Sequence, residues 1–327
     1  MIRNRTLFLA TMMSLILATM TLAQETRAKE WPTRAITLVV TFPPGGGADM
    51  MARLLAPKLG EQLGQQVVVE NRTGASGQIG AAAVARAPAD GYTLMLDAFA
   101  YAINPSLYPS LPYDPATAFS PLAVLALYPT VLVVNPALLA TTVAEFVQLA
   151  KAKPGGVAFA SGGSATAQYF AGALFEIKAG VKFTHVPYKG SGPALIDVMG
   201  GQVPVFFANI ANSLQHIRSG KLRALAVTGD KRIDLLPDVP TVQQGGVADY
   251  AVYDWTAVFA PAATPKDIQR KLALAIQRVM ATPEVSARVA ELGGVVFEGD
   301  QVRAAAFIRD QTALWGNVIR ENNIKPD

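Results

Sequence analysis

Three stretches of the chain combine glycine, hydroxyl and helix-start residues in the pattern that holds an anion. In Phe42-Pro43-Pro44-Gly45-Gly46-Gly47-Ala48-Asp49, an apolar β-branched run meets two prolines, three consecutive glycines and then a helical pattern. Glycines let such a loop bend sharply and bring its backbone close to a ligand, while the first N–H groups of the helix point outward unpaired. Ser161-Gly162-Gly163-Ser164-Ala165-Thr166 repeats this logic in the second half, where Ser164 and Thr166 add hydroxyls to the glycine amides. A third turn, Lys189-Gly190-Ser191-Gly192-Pro193, follows Tyr188 and offers Lys189 as a cation. The chemistry implied is capture of an anion. The first loop lacks the Lys-Ser/Thr pair of a nucleotide P-loop, and its glycines are not spaced as G-x-G-x-x-G. The same residues also suit ordinary tight turns and, at Ser164 or Thr166, helix capping, so contact and capping both stay open.

Catalysis finds no comparable support. No G-x-S-x-G elbow occurs, no motif places Ser, His and Asp together, and nothing ties Asp97, Asp114 and Asp197 to one cleft. His185 and His216 are the only imidazoles and cysteine is absent, so neither a zinc site nor any other metal or cofactor is expected. His185 itself reads as a packed strand residue.

These loops need elements to position them. Ile36 to Phe42 reads as a strand, and Met50, Met51, Leu54, Leu55, Leu59 and Leu63 then recur with helical spacing up to Gly64. Val67 to Glu70 is a second strand, Ile79 to Ala87 a helix, and Tyr92 to Leu96 a third strand. This alternation predicts a parallel sheet with right-handed crossovers, whose ligands sit at the carboxyl ends of strands, here Phe42 to Asp49 and Asp97 to Tyr101. Val157 to Ala160, Phe183 to Tyr188, Val203 to Phe207 and Arg223 to Val227 predict a second parallel sheet, with helices over Gln168 to Lys178, Ala194 to Met199 and Ala211 to Arg218. Beyond Pro261 only helices follow, opening at Thr264-Pro265, at Pro283 and at Val302. Helices without a sheet of their own must pack on an existing one.

Arg3 and Arg5, an uncharged apolar run from Leu7 to Leu22, and Thr21-Leu22-Ala23 read as a signal peptide over residues 1–23, cut after Ala23. The chain has 327 residues and a formal charge of +4, with basic residues scattered among acids, which argues against nucleic acid as a partner. About 300 residues remain after the leader, enough for two domains that hold together by packing without disulfides.

Phe42 to Asp49, Val68-Val69-Glu70-Asn71-Arg72, Ala89 to Leu94, Ile103 to Tyr108, His185 to Ser191, Gly220 to Thr228 and Leu236 to Thr241 together resemble the Bug family, the substrate-binding proteins of tripartite tricarboxylate transporters. The resemblance spans essentially the whole mature chain. It implies a two-domain α/β fold of the type II periplasmic binding protein kind, a monomer closing over a small carboxylate and docking on the membrane subunits of a transporter or on a sensor. It also implies that the C-terminal helices rejoin the first domain, giving 30–128 with 254–327 as one domain and 129–253 as the other, hinged near Tyr128 to Val134 and Ala251 to Val258. The ligand would meet Phe42, Gly45, Gly46, Gly47, Ala48 and Asp49 on one side, and Ser161, Gly163, Ser164, Ala165, Thr166 and Tyr188 on the other.

Two positions depart from the family pattern. Asp97-Ala98-Phe99-Ala100-Tyr101 replaces small hydroxylated residues after the third strand, and Ala208 precedes Asn209 where an aspartate is common. If the strand continues, alternation puts Asp97, Phe99 and Tyr101 on one side facing the cleft, which favours a monocarboxylate with an aromatic or apolar body over a citrate-type acid. The competing reading has Asp97 capping a backbone N–H and the rings in the core.

Overall fold

A computed structural model describes residues 30–326; the leader reading over residues 1–23 lies outside the described residues. Ile36–Val40 forms β1, a β-branched run buried at four of its five positions. Gly47–Leu63 follows as α1 and buries Met51, Leu55, Leu59 and Leu63 along one stripe. It stops at Gly64, whose φ of 69° is the left-handed cap that only glycine adopts without strain. Then come β2 (Val67–Asn71), a 3-10 turn at Ala75–Gly77, α2 (Gln78–Ala85) and β3 (Thr93–Ala98). β1 pairs in parallel with both β2 and β3, so the loops after β1 and β3 open at the same sheet end.

The next elements are α3 (Ala100–Leu107), β4 (Phe119–Val134), α4 (Val143–Ala152), β5 (Val157–Ser161), α5 (Ala167–Ala179), β6 (Phe183–Pro187), α6 (Ser191–Met199), β7 (Val205–Asn209), α7 (Ile210–Arg218) and β8 (Arg223–Val227). β9 (Tyr253–Pro261) brings the chain back, and α8 (Lys266–Met280), α9 (Pro283–Glu291), β10 (Val295–Val296) and α10 (Gln301–Glu321) complete it. Strand order is β2-β1-β3-β9-β4-β7-β5-β6, with β8 and β10 also pairing β4.

The expectation of two parallel sheets holds for three strands in each half. β2-β1-β3 and β6-β5-β7 are parallel, but β4 and β9 run antiparallel to their neighbours. A strand that passes from one half to the other and a strand that returns must run in opposite directions. β4 pairs with β9 from Phe119 to Pro129, and with β7 and β8 between Thr130 and Val134. Thr228 stitches this crossing: its hydroxyl accepts from the Thr130 N–H at 2.8 Å and lies 2.8 Å from the Val252 carbonyl.

Helices cover both faces of the first sheet. Leu94 and Leu96 pack toward α1 and α8, while Val39 and Met95 join a cluster containing residues of α2, α3 and α10. The C-terminal helices therefore pack on the first sheet, and Lys58 pairs with Glu284 across α1 and α9 at 2.5 Å. The second cluster does not stop at the crossing. It runs on through Phe146, Phe159, Phe170 and Phe207, so aromatic packing joins the halves beside the two crossing strands.

Candidate ligand-binding cleft

The Phe42 to Asp49 loop ends in an open helix start. Gly46 is the N-cap of α1 and supplies no side-chain cap, and the first helical bond runs from the Met50 N–H to the Gly46 carbonyl at 2.9 Å. The N–H groups of Gly47, Ala48 and Asp49 are thus the free first turn, where the helix dipole favours an anion. Gly45, Gly46 and Gly47 are exposed, whereas Ala48 and Asp49 are buried at 7% and 3%.

Asp49 has a different role from the one its position suggested. It is 3% exposed and turned inward, accepting from the Gly45 N–H (2.9 Å), Arg53 Nε (2.9 Å) and Asn71 Nδ2 (2.9 Å). The Arg53 hydrogen bond, aided by the others, holds its carboxyl at about 2. Asn71 Nδ2 also reaches the Phe42 carbonyl at 3.0 Å. Asp49 and Asn71 therefore brace the loop from behind, leaving the ligand face to the backbone.

The stretch after β3 also differs from the expectation. β3 ends at Ala98 and α3 starts at Ala100, so Phe99 and Tyr101 do not alternate with Asp97 along a strand. Phe99 is 3% exposed, with its ring 5.1 Å from Trp315 of α10 and 5.5 Å from Phe170 of α5. Tyr101 is 8% exposed and stacks on Phe259 at 4.3 Å. Both rings belong to the core. Asp97 is 1% exposed; Oδ1 accepts from the Ala98 N–H at 2.7 Å and Oδ2 has no partner. Desolvation lifts this carboxyl to about 7. Because the folded-state value lies above that of an ordinary aspartate, stability falls as pH rises from about 4 to 7 and the buried group must ionise. Asp97→Asn is therefore expected to raise the melting temperature at pH 8 and to change it little at pH 4, which a pair of thermal melts checks.

The second loop is organised by a residue that sequence reasoning missed. Gln168, in the first turn of α5 and 5% exposed, accepts from the Gly162 N–H at 2.8 Å through Oε1. Its Nε2 donates to Ser191 Oγ at 2.7 Å and to Asn209 Oδ1. One amide thus ties together the loops after β5, β6 and β7. Ser161 is fully buried; its hydroxyl accepts from the Gly163 N–H at 3.1 Å and lies 2.6 Å from His185 Nε2. Thr166 caps α5 by accepting from the Tyr169 N–H, and donates to the Gly163 carbonyl at 2.7 Å. The Gly162 and Gly163 amides are therefore spent inside the loop. α6 and α7, which start at Ser191 and Ile210, carry no side-chain cap and offer their first amides in the same region.

The remaining expected residues fall on either side of this line. Ala208 is fully buried in the core beneath the loop, and Asn209 stands at its surface as N-cap of α7 and partner of Gln168. The Tyr188 hydroxyl donates to Asp197 at 2.7 Å, a bond that fixes the turn before α6. Ser164 is 6% exposed, while Ala98, Gly163 and Ala165 are half-buried and Lys189 is exposed. Asp254 on β9 was read only as part of a hinge. It is half-buried, accepts from the Trp255 N–H at 2.9 Å and from the Phe99 N–H, and is lifted by desolvation to about 6.

Phe99 and Phe170 bring the two loop systems together. Phe99 is the N-cap of α3 in the first half and Phe170 sits in the first turns of α5 in the second, so their contact sets two helix starts against each other. A separate cavity of about 860 Å³ lies between α8, β10 and the start of α10, lined partly by Leu122, Leu274 and Val296. It shares no lining residue with the loops.

The profile of the tripartite tricarboxylate transporter family receptor matches residues 51–324. The chain belongs to that family. Its relatives include protein BugT of Bordetella pertussis, 39% identical over 326 residues and aligned over 98% of this chain and 99% of that one. A Rhodopseudomonas palustris receptor solved with adipate is 35% identical with a TM-score of 0.79, covering 91% of this chain and 100% of the other. MatC of the same organism, solved with bound malate, is 31% identical with a TM-score of 0.74, covering 88% and 100%. The receptor fold is thus the two-domain α/β architecture of periplasmic binding proteins, a class of solute-binding proteins.

Proposed function

We propose that this receptor captures a small dicarboxylate in the periplasm, between a domain of residues 30–128 with 254–327 and a domain of residues 129–253, and presents it to the membrane subunits of a tripartite transporter. The observation that carries the reading is the uncapped α1 start in one half, with its Gly47, Ala48 and Asp49 amides, together with a loop system in the other half that is held by Gln168 and edged by the open starts of α6 and α7. Two groups of neutral donors on separate sheets suit two carboxylates at the ends of one molecule. The adipate and malate found in two relatives are ligands of that kind. Placing Phe99 and Tyr101 in the core removes the rings on which a preference for an aromatic monocarboxylate rested. Export follows from the leader pattern at residues 1–23.

Differential scanning calorimetry with adipate, malate, citrate and benzoate tests this. A bound dicarboxylate at a hundredfold excess over Kd adds about 2.7 kcal/mol to stability. Adipate or malate is expected to raise the melting temperature and to be recovered unchanged. No response to any dicarboxylate, or any product formed, overturns the reading.

A further inference from the structure

His185 is bonded into the Ser161 to Thr166 loop of the second half. Its Nε2 lies 2.6 Å from Ser161 Oγ, Ser161 Oγ accepts from the Gly163 N–H at 3.1 Å, and the Gly163 carbonyl accepts from Thr166 Oγ1 at 2.7 Å. The ring is half-buried on β6, with its centroid 5.0 Å from Phe159 and 4.4 Å from Tyr169. A serine hydroxyl has one proton to give. Against an unprotonated Nε2, Ser161 spends it on the ring; against an imidazolium, Nε2–H becomes the donor and the serine proton turns away. The exchange preserves the contact and sets a full positive charge one hydroxyl away from the loop backbone.

We propose that His185 is a positioning residue for the Ser161 to Thr166 loop and makes carboxylate capture proton-linked, so that affinity rises as the imidazole is protonated. The inference rests on the carboxylate-receptor reading above. Arg53 is committed to Asp49 and Lys189 stands exposed on the turn after β6, so His185 is the cation-forming side chain bonded into the Ser161 to Thr166 loop itself.

α5 contributes Tyr169 and, two turns further along, Glu176, whose carboxylate accepts from the Phe183 N–H at 2.7 Å with Lys182 nearby. β5 contributes Phe159 and Ser161, neither of which titrates in this range. Elsewhere, Asp97 and Asp254 titrate at about 7 and about 6, and their protonation would also favour an anion. The test must separate these two sources.

Calorimetric titration of the purified full receptor with adipate and with malate between about pH 6 and 8 does so. Wild type is expected to bind about three- to tenfold more tightly at pH 6, the size of one partly screened charge at intermediate distance. In His185→Gln the amide can still meet Ser161 but cannot titrate, and Kd is expected to be flat with pH. His185→Ala should weaken binding at both ends of the range. Proton NMR gives the reciprocal readout: the chain has only two histidines, and ligand should raise the titration midpoint of His185 while leaving that of His216, on α7, in place. A pH slope that persists in His185→Gln assigns the linkage to the aspartates and overturns the proposal, as does a ligand-insensitive His185 midpoint. Folded wild type that binds neither acid at any pH overturns the carboxylate reading and this inference together, whereas a persisting slope overturns only the second.

Discussion

Gly47→Val is expected to weaken dicarboxylate binding by at least ~100-fold while leaving the melting temperature of the ligand-free protein nearly unchanged. A Cβ built at Gly47 meets nothing within 4 Å, so the valine does not clash with the protein. It is the first residue of α1, where valine is roughly a few tenths of a kcal/mol more favourable than glycine in helix propensity. The added isopropyl group stands over the open first turn, where a carboxylate must approach the Gly47, Ala48 and Asp49 amides. Its neighbours show why this position is the informative one. Gly45 has a φ of 80°, so any side chain there is strained and lowers stability, and a Cβ at Gly46 would lie 3.3 Å from the Pro43 carbonyl. Comparing Gly47→Val with Gly45→Val by titration and thermal melt separates blocked binding from a damaged loop. Wild-type affinity in Gly47→Val would show that the loop is only a turn.

That loop was legible in sequence because every part of its signal is local. A β-branched run, glycines and apolar residues at helical spacing are read within one window, and β1 and α1 follow from them. The same holds for β5 and α5, where Gly180 closes the helix with a φ of 62°. What escaped depends on distant partners. α3 contains Asn104-Pro105, a pair that locally favours a turn. The helix tolerates Pro105 near its end because Tyr101, Ala102 and Ile103 are buried against the core and hold the preceding turn. The length of β4 was hidden by Pro121 and Pro129 for a related reason. Both prolines fall where pairing is already interrupted, Pro121 beside a register shift and Pro129 at the last pair with β9 before the strand changes partners. Asp49 carried the right position and the wrong role, because its three donors include Asn71, which comes from the next strand. Gln168 looked like any polar residue on a helix. Its partners come from loops that sheet order β7-β5-β6 alone brings side by side.

Gln168→Glu is expected to abolish dicarboxylate binding near pH 8 and to recover part of it as pH falls. The exchange is nearly isosteric, and the carboxylate can still accept from the Gly162 N–H as Gln168 Oε1 does at 2.8 Å. On its other side the donated bonds to Ser191 Oγ and Asn209 Oδ1 are lost, but the serine hydroxyl can rotate and the Asn209 amide can flip to donate instead. The fold therefore survives, and what changes is charge. A negative group now sits at the junction of three loops that otherwise carry no acidic side chain bonded at that junction. At about 6 Å and an effective dielectric constant near 20, repulsion between two unit charges is roughly 3 kcal/mol, a loss of about 100-fold. Burial at a site that is 5% exposed in wild type pushes the new carboxyl above the ordinary glutamate range, so protonation restores a neutral side chain at mildly acidic pH. Gln168→Ala should behave differently. It leaves the Gly162 N–H, Ser191 and Asn209 without their shared partner, lowers the melting temperature, and weakens binding without the steep pH recovery. Titrations of both variants at about pH 6 and 8 distinguish the cases. Equal affinity of Gln168→Glu and wild type at pH 8 would remove the Gln168 junction from the ligand site.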